Sequence, residues 1–308
     1  MKGASPPSSE HKKLALLEPG LMQKLTRLVL GSRRRASGVR DGGRRSLRRG
    51  RSQEFADHRP YVPGDDLRFL DWHLYGRLDS LWIKLFEEET DRTVQLLVDC
   101  SASMEGDKLD FARRLGAALS FVALGRTDRV AVAGLSDKLA HYSPPRRGRR
   151  AAHQVFRSLE AVNPGGETNV LKALDSYPRQ QGAGIGLLFT DFFYPGAVDM
   201  SPEESVHRSL RNLASRNMEL HAFHILSPVD VRPAIDGDCR LIDKETGEAV
   251  DVTVDQDVLD KYEVAVREWA ASVEEACKKL GVGYYRVLST ANLEDVIMRD
   301  LRGLGLIS

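Results

Sequence analysis

TVQLLVDCSASM, residues 93–104, joins an apolar run of strand length to a loop, and the run closes on an acid, Asp99. The pattern returns along the chain. RVAVAGLS (129–136), IGLLFTD (185–191), LHAFHIL (220–226) and YYRVLS (284–289) are further apolar runs, the second of these again ending in an acid, Asp191. Between them, Leu109, Phe111, Ala112, Leu115, Ala118, Leu119 and Val122 show helical spacing, and helices are expected near 149–162, 169–177, 202–216, 257–280 and 291–302. Strands that are apolar throughout, alternating with helices, predict a doubly wound, mostly parallel sheet flanked by helices. CRLIDKETGEAVDVTV (239–254) alternates around Thr246-Gly247 and reads as an inserted β-hairpin.

In such a sheet, ligands gather at the carboxyl ends of the strands, where strand order reverses. Asp99 and Asp191 both fall on that edge. After Asp99 the loop sets Ser101 and Ser103 on alternate residues, so three oxygen-bearing side chains can turn to one side. Gly165-Gly166-Glu167-Thr168 places another hydroxyl in a glycine-turned loop before a helix. Two carboxylates and three hydroxyls are hard donors that suit Mg²⁺, with Mn²⁺ or Ca²⁺ as substitutes, and not zinc. The bland reading of Asp-x-Ser-x-Ser alone is a turn or helix cap.

At these residues the chain resembles the von Willebrand factor A / integrin I family, a Rossmann-type fold. Its metal-ion-dependent adhesion site is Asp-x-Ser-x-Ser, a Thr and an Asp, matched in order by Asp99, Ser101, Ser103, Thr168 and Asp191. The resemblance implies that an acidic residue of a protein partner completes the metal shell.

Upstream, SQEFADHRPYVPGDDLRFLDWHLYGRLDSLWIKLFEEE (52–89) interleaves aromatics and charges, with a strand expected at Leu81–Phe86 and a Pro-Gly turn at Pro63-Gly64. Glu54, Phe55, Arg59, Tyr61, Pro63, Gly64, Asp65, Asp66, Arg68, Asp71 and Trp72 resemble the pattern of a bacterial family catalogued as domain of unknown function 58; Leu70 replaces the usual Ile, and Gly76-Arg77 the usual Ala-Arg. Members of that family often accompany MoxR-type AAA+ ATPases, which implies such an ATPase as partner. Arg59, Asp65, Asp66, Arg68, Asp71 and Arg77 read as an internal ion-pair network, and Trp72 and Trp82 as core. The expected organisation is a start and arm over 1–51, this partly β extension over 52–92 packed on the core, and the α/β domain over 93–308.

Residues 31–51 hold nine arginines against one aspartate and read as a flexible basic arm. Nucleic acid or an anionic membrane surface could bind it, though no aromatic is interleaved for base stacking. Net charge is +1 in 308 residues, so the chain as a whole is no polycation. Three scattered cysteines, Cys100, Cys239 and Cys277, make no disulfide framework. With no signal-like or membrane-length apolar run, the expected location is the cytoplasm. The expected function is metal-dependent protein binding without catalysis. The alternative is a metal-dependent phosphoesterase or nuclease using the arm, which two carboxylates and no visible general base support poorly.

Overall fold

The structure is a computed structural model and describes residues 16–31, 54–87, 92–126, 128–166, 169–178, 184–194, 201–216, 218–243 and 247–308. The start of the chain, all but Gly31 of the basic arm, and Thr168 lie outside the described residues. The chain divides into two compact units: Met1–Arg35 with Arg92–Ser308, and Ala36–Asp91.

The larger unit opens with helix α1 (Pro19–Leu25). Its proline sits in the first turn, where a missing N–H costs nothing, so Pro19-Gly20 starts the helix. The smaller unit is a hairpin of β1 (Glu54–Pro60) and β2 (Trp82–Glu87) around the short helix α2 (Trp72–Leu78). The sequence reading missed β1, whose charged residues hide the alternation. Asp71 caps α2 by accepting from the backbone N–H groups of His73 and Leu74. Trp72, expected in the core, is 64% exposed, as are Tyr75 and Leu78 in part. These three follow one another at helical i, i+3 spacing on a helix of seven residues, so they share a face that α2 leaves uncovered. Trp82 is half-buried.

In the larger unit, strands β3 (Thr93–Asp99), β4 (Arg129–Leu135), β5 (Leu139–Arg147), β6 (Gly184–Thr190), β7 (Met218–Leu226) and, after a separate hairpin β8 (Gly237–Ile242) and β9 (Ala249–Val254), β10 (Gly283–Leu288) are formed. Six of them make one sheet in the order β10-β7-β6-β3-β4-β5, parallel except for β5. The fold is therefore mixed α/β with a central, mostly parallel sheet. Helices α3 (Asp107–Leu124), α4 (Ala152–Glu160), α5 (Val170–Asp175), α6 (Pro202–Ala214), α7 (Pro228–Val231), α8 (Gln256–Lys279) and α9 (Leu293–Asp295) join the strands, and α9 runs on into a π-helical turn, Val296–Leu301.

Alternation within β3 shows why these runs are apolar throughout. Val94, Leu96 and Val98 enter one buried cluster with residues of α1, α3 and α4, and Leu97 enters another with residues of α5, α6 and α8. Gln95, the polar residue among the buried apolar positions of β3, accepts a hydrogen bond from the buried Tyr177 hydroxyl (2.7 Å). β5 continues through Pro144-Pro145. It is an edge strand, and its register against β4 shifts between Val130 and Val132, so the prolines need no ladder partner.

Candidate metal centre

After β3 the chain passes to β4 on one side, and β6 then pairs on the other, so strand order reverses at β3. Asp99 ends β3 and Asp191 follows β6 directly; both are fully buried. Asp99 Oδ1 accepts from the Ser101 N–H (3.0 Å) and from the Ser101 hydroxyl (2.8 Å). The two serine hydroxyls lie 3.0 Å apart, and with Ser101 donating to Asp99, Ser103 donates to Ser101. Asp99, Ser101 and Ser103 thus converge, with Ser103 the most open of them.

Residues not singled out in the sequence complete the surroundings. Thr190 Oγ1 donates to the second oxygen of Asp99 (2.6 Å). Phe192 holds a positive φ of 57° while fully buried, an uncommon conformation for a bulky residue, and its N–H donates to Thr190 Oγ1 (3.1 Å). That turn fixes the carboxylate before it: Asp191 Oδ1 accepts from the Phe193 N–H (3.1 Å). Lys108, in the first turn of α3, donates to Asp191 Oδ2 (2.7 Å) and also reaches Asp230 of α7 (3.1 Å). Its ammonium lies 5.6 Å from the centre of the Phe193 ring.

The loop expected to supply Thr168 is tied to the β3–α3 loop. The Ala102 N–H donates to Gly166 O (3.1 Å), and the Gly165 N–H to Cys100 O (2.8 Å). Gly166 has φ +83°, and a Cβ there would stand 3.0 Å from Asp137 Oδ1, so the turn needs glycine.

Burial pushes the Asp99 carboxyl up, the negative charge of Asp191 pushes it further, and the bonds from Thr190 and Ser101 only partly offset this. Burial alone would lower Lys108, but Asp191 and Asp230 outweigh it and hold the ammonium above its ordinary value. Cys100, between the candidate ligands, is buried and donates to Leu135 O (3.3 Å); burial first, then Asp99, push its thiol up to about 12. Its side chain belongs to the buried apolar cluster that also holds Val94, Leu96 and Val98. Among the described residues no three His, Cys, Asp or Glu side chains cluster to hold a metal. The donors here are two carboxylates and serine hydroxyls, a set that fits a hard cation.

The smaller unit holds the other candidate residues. Glu54 opens β1 opposite Glu87, and the Tyr61 N–H donates to Leu81 O. Arg59 pairs with Asp65 through two bonds of 2.6 Å, beside a turn in which Gly64 has φ +105°. Arg68 pairs with Asp66 (2.6 Å). Asp71 takes two partners outside the expected network, His58 (2.9 Å) and Lys84 (3.4 Å), and Arg77 is exposed on α2. The His58 bond, first among several, holds the Asp71 carboxyl well below the usual carboxylate range.

A family model described as "Protein of unknown function DUF58" matches residues 57–272. Uncharacterized proteins of Mycobacterium bovis and Mycobacterium tuberculosis are 27% identical over 273 residues, spanning 86% of this chain and 83% of theirs. Among solved structures, the conserved hypothetical protein BatB from Bacteroides thetaiotaomicron aligns at 15% identity and TM-score 0.40, over 69% of this chain and 98% of its own. An aerotolerance-related membrane protein from Bacteroides fragilis aligns at 15% identity and TM-score 0.39, over 70% and 98%. An uncharacterized membrane spanning protein from Vibrio fischeri aligns at 17% identity and TM-score 0.21, over 69% and 98%. These names correct the cytoplasmic placement expected from the sequence. No helix among the described residues is long and apolar enough to cross a membrane, and that assigns no compartment.

Proposed function

The chain belongs to the family described as protein of unknown function DUF58, and from that premise we propose that its larger unit is a von Willebrand factor A-like module that binds a protein partner through a divalent metal. The observation that carries the reading is the convergence of Asp99, Ser101 and Ser103 beside Asp191 at the point where strand order reverses. Asp99, Ser101, Ser103 and Asp191 would hold the ion, with Thr168 supplying a further hydroxyl. A hard divalent cation, Mg²⁺ above all, would supply an open coordination position for a carboxylate. The chain's own residues fix the donors: Thr190 and the Ser101 N–H orient Asp99, and the Phe192 turn orients Asp191. The partner would offer an acidic side chain, and the family resemblance favours a MoxR-type AAA+ ATPase engaged in protein assembly or activation.

The test is a melting curve in Mg²⁺ and in EDTA. At about a hundredfold excess of Mg²⁺ over its Kd, wild type should gain about 2.7 kcal/mol, which is about 5–10 °C for a domain of this size. Asp99→Asn should fold and gain nothing. It should also lose Mg²⁺-dependent capture of the purified ATPase. Equal shifts in the two proteins would remove these residues from the metal site.

A further inference from the structure

Lys108 is nearly fully buried, yet its ammonium is not at the surface of the fold or paired with a single acid. It lies between two carboxylates, 2.7 Å from Asp191 Oδ2 and 3.1 Å from Asp230 Oδ2. One of these is a candidate metal donor; the other belongs to α7, where the same Asp230 oxygen accepts from the Ser227 N–H (2.8 Å). A long cationic side chain therefore places a positive charge against the metal site from the first turn of α3.

We infer that Lys108 is a tethered counter-cation that competes with the metal for Asp191, and that Asp230 sets the strength of this competition by drawing the ammonium away. The inference rests on the metal-binding reading and deepens it. Counting formal charges, Asp99, Asp191 and Asp230 against Lys108 leave two negative charges near the ion. Removing the lysine charge leaves three, and removing the Asp230 charge leaves one. In the first case the divalent ion meets a more negative site and no rival for Asp191. In the second it meets a less negative site and a lysine committed wholly to Asp191. A unit charge this close to a partly buried divalent ion changes its affinity about tenfold or more.

Lys108 would thus be a positioning residue with a sign that a merely structural pillar lacks. A pillar, once removed, loosens the site and weakens metal binding. A competitor, once removed, strengthens it even while the metal-free fold is destabilised, because the fully buried Asp191 and the half-buried Asp230 lose their partner.

Calorimetric titration of the full chain with Mg²⁺ and with Mn²⁺ alone separates the cases. Lys108→Met should bind about tenfold tighter than wild type, Asp230→Asn about tenfold more weakly, and Lys108→Arg close to wild type. Should Lys108→Met fail to fold, Asp230→Asn carries the test by itself, because it leaves Lys108 in place. Unchanged affinity in Asp230→Asn, or weaker binding in a folded Lys108→Met, would overturn the inference while leaving the metal-binding reading intact. Metal binding by Lys108→Met but not by wild type would support it in its strongest form, with the ammonium holding the cation position. Binding by neither would remove both readings.

Discussion

Thr190 is one methyl-for-hydroxyl exchange away from valine, a residue that would suit β6 equally well as an apolar strand. The hydroxyl is what β6 cannot spare. It donates to Oδ2 of the fully buried Asp99, and it accepts the Phe192 N–H that holds the following turn. Thr190→Val keeps the shape and leaves both groups without their partner, which should cost about 1–3 kcal/mol in EDTA. Thr190→Ser should recover most of it. Urea unfolding of the three proteins gives the answer, and a loss under about 0.5 kcal/mol would show that the bond is worth little. Thr190 was not legible in the sequence, although Asp99 and Asp191 were. An acid at the end of an apolar run is a local pattern; the residue that solvates it across 91 positions of chain is not. Lys108 and Asp230 escaped for the same reason. In the sequence Lys108 is a polar position in the first turn of a helix, and only the folded α3 brings it against β6 and α7.

At the scale of elements, the strands of the sheet were readable because parallel strands buried on both faces leave a continuous apolar run. Elements at the margins were not. β1 carries Glu54, Asp57, His58 and Arg59 in its sequence, so polar content conceals a strand; His58 meets Asp71 and Arg59 meets Asp65. β5 tolerates Pro144-Pro145 because it is an edge, a fact about neighbours that the segment does not contain. The sharpest error concerns α2. An aromatic beside a capping acid reads as core, yet Trp72 meets Tyr75 edge to face at 6.2 Å and otherwise faces outward. Trp72→Ser should therefore change the unfolding free energy by less than about 0.5 kcal/mol. A fully packed tryptophan would cost about 3–5 kcal/mol on truncation to alanine, so a loss of that size would mean that Trp72 is covered. Binding of a hydrophobic dye should fall in the variant, since an exposed apolar group is removed.

At the scale of the whole molecule, two buried ionisable groups of the larger unit set opposite limbs of the stability curve. Burial, above all, holds His224 down to about 3, and its Nδ1 lies 2.7 Å from the Tyr284 hydroxyl. The unfolded chain takes up a proton there at about 6.5, which the folded chain refuses. This contribution is whole above that value and is lost as pH falls toward 3, at up to about 1.4 kcal/mol per pH unit. Asp99 works the other way. Its carboxyl is raised by burial and by Asp191, so the folded chain keeps a proton that the unfolded chain releases near about 4. That stability is present below about 4 and is lost as pH rises through the folded value. In EDTA the two limbs together predict a maximum at mildly acidic pH. Mg²⁺ favours the ionised Asp99 and should lift the alkaline limb alone, moving the maximum upward. His224→Gln should flatten the acid limb and leave the Mg²⁺ response as it was. Urea unfolding across pH 4 to 9, with and without Mg²⁺, measures all of this. If Mg²⁺ raised both limbs equally, its binding would not be linked to the Asp99 proton, and the ion would have to bind away from that carboxylate.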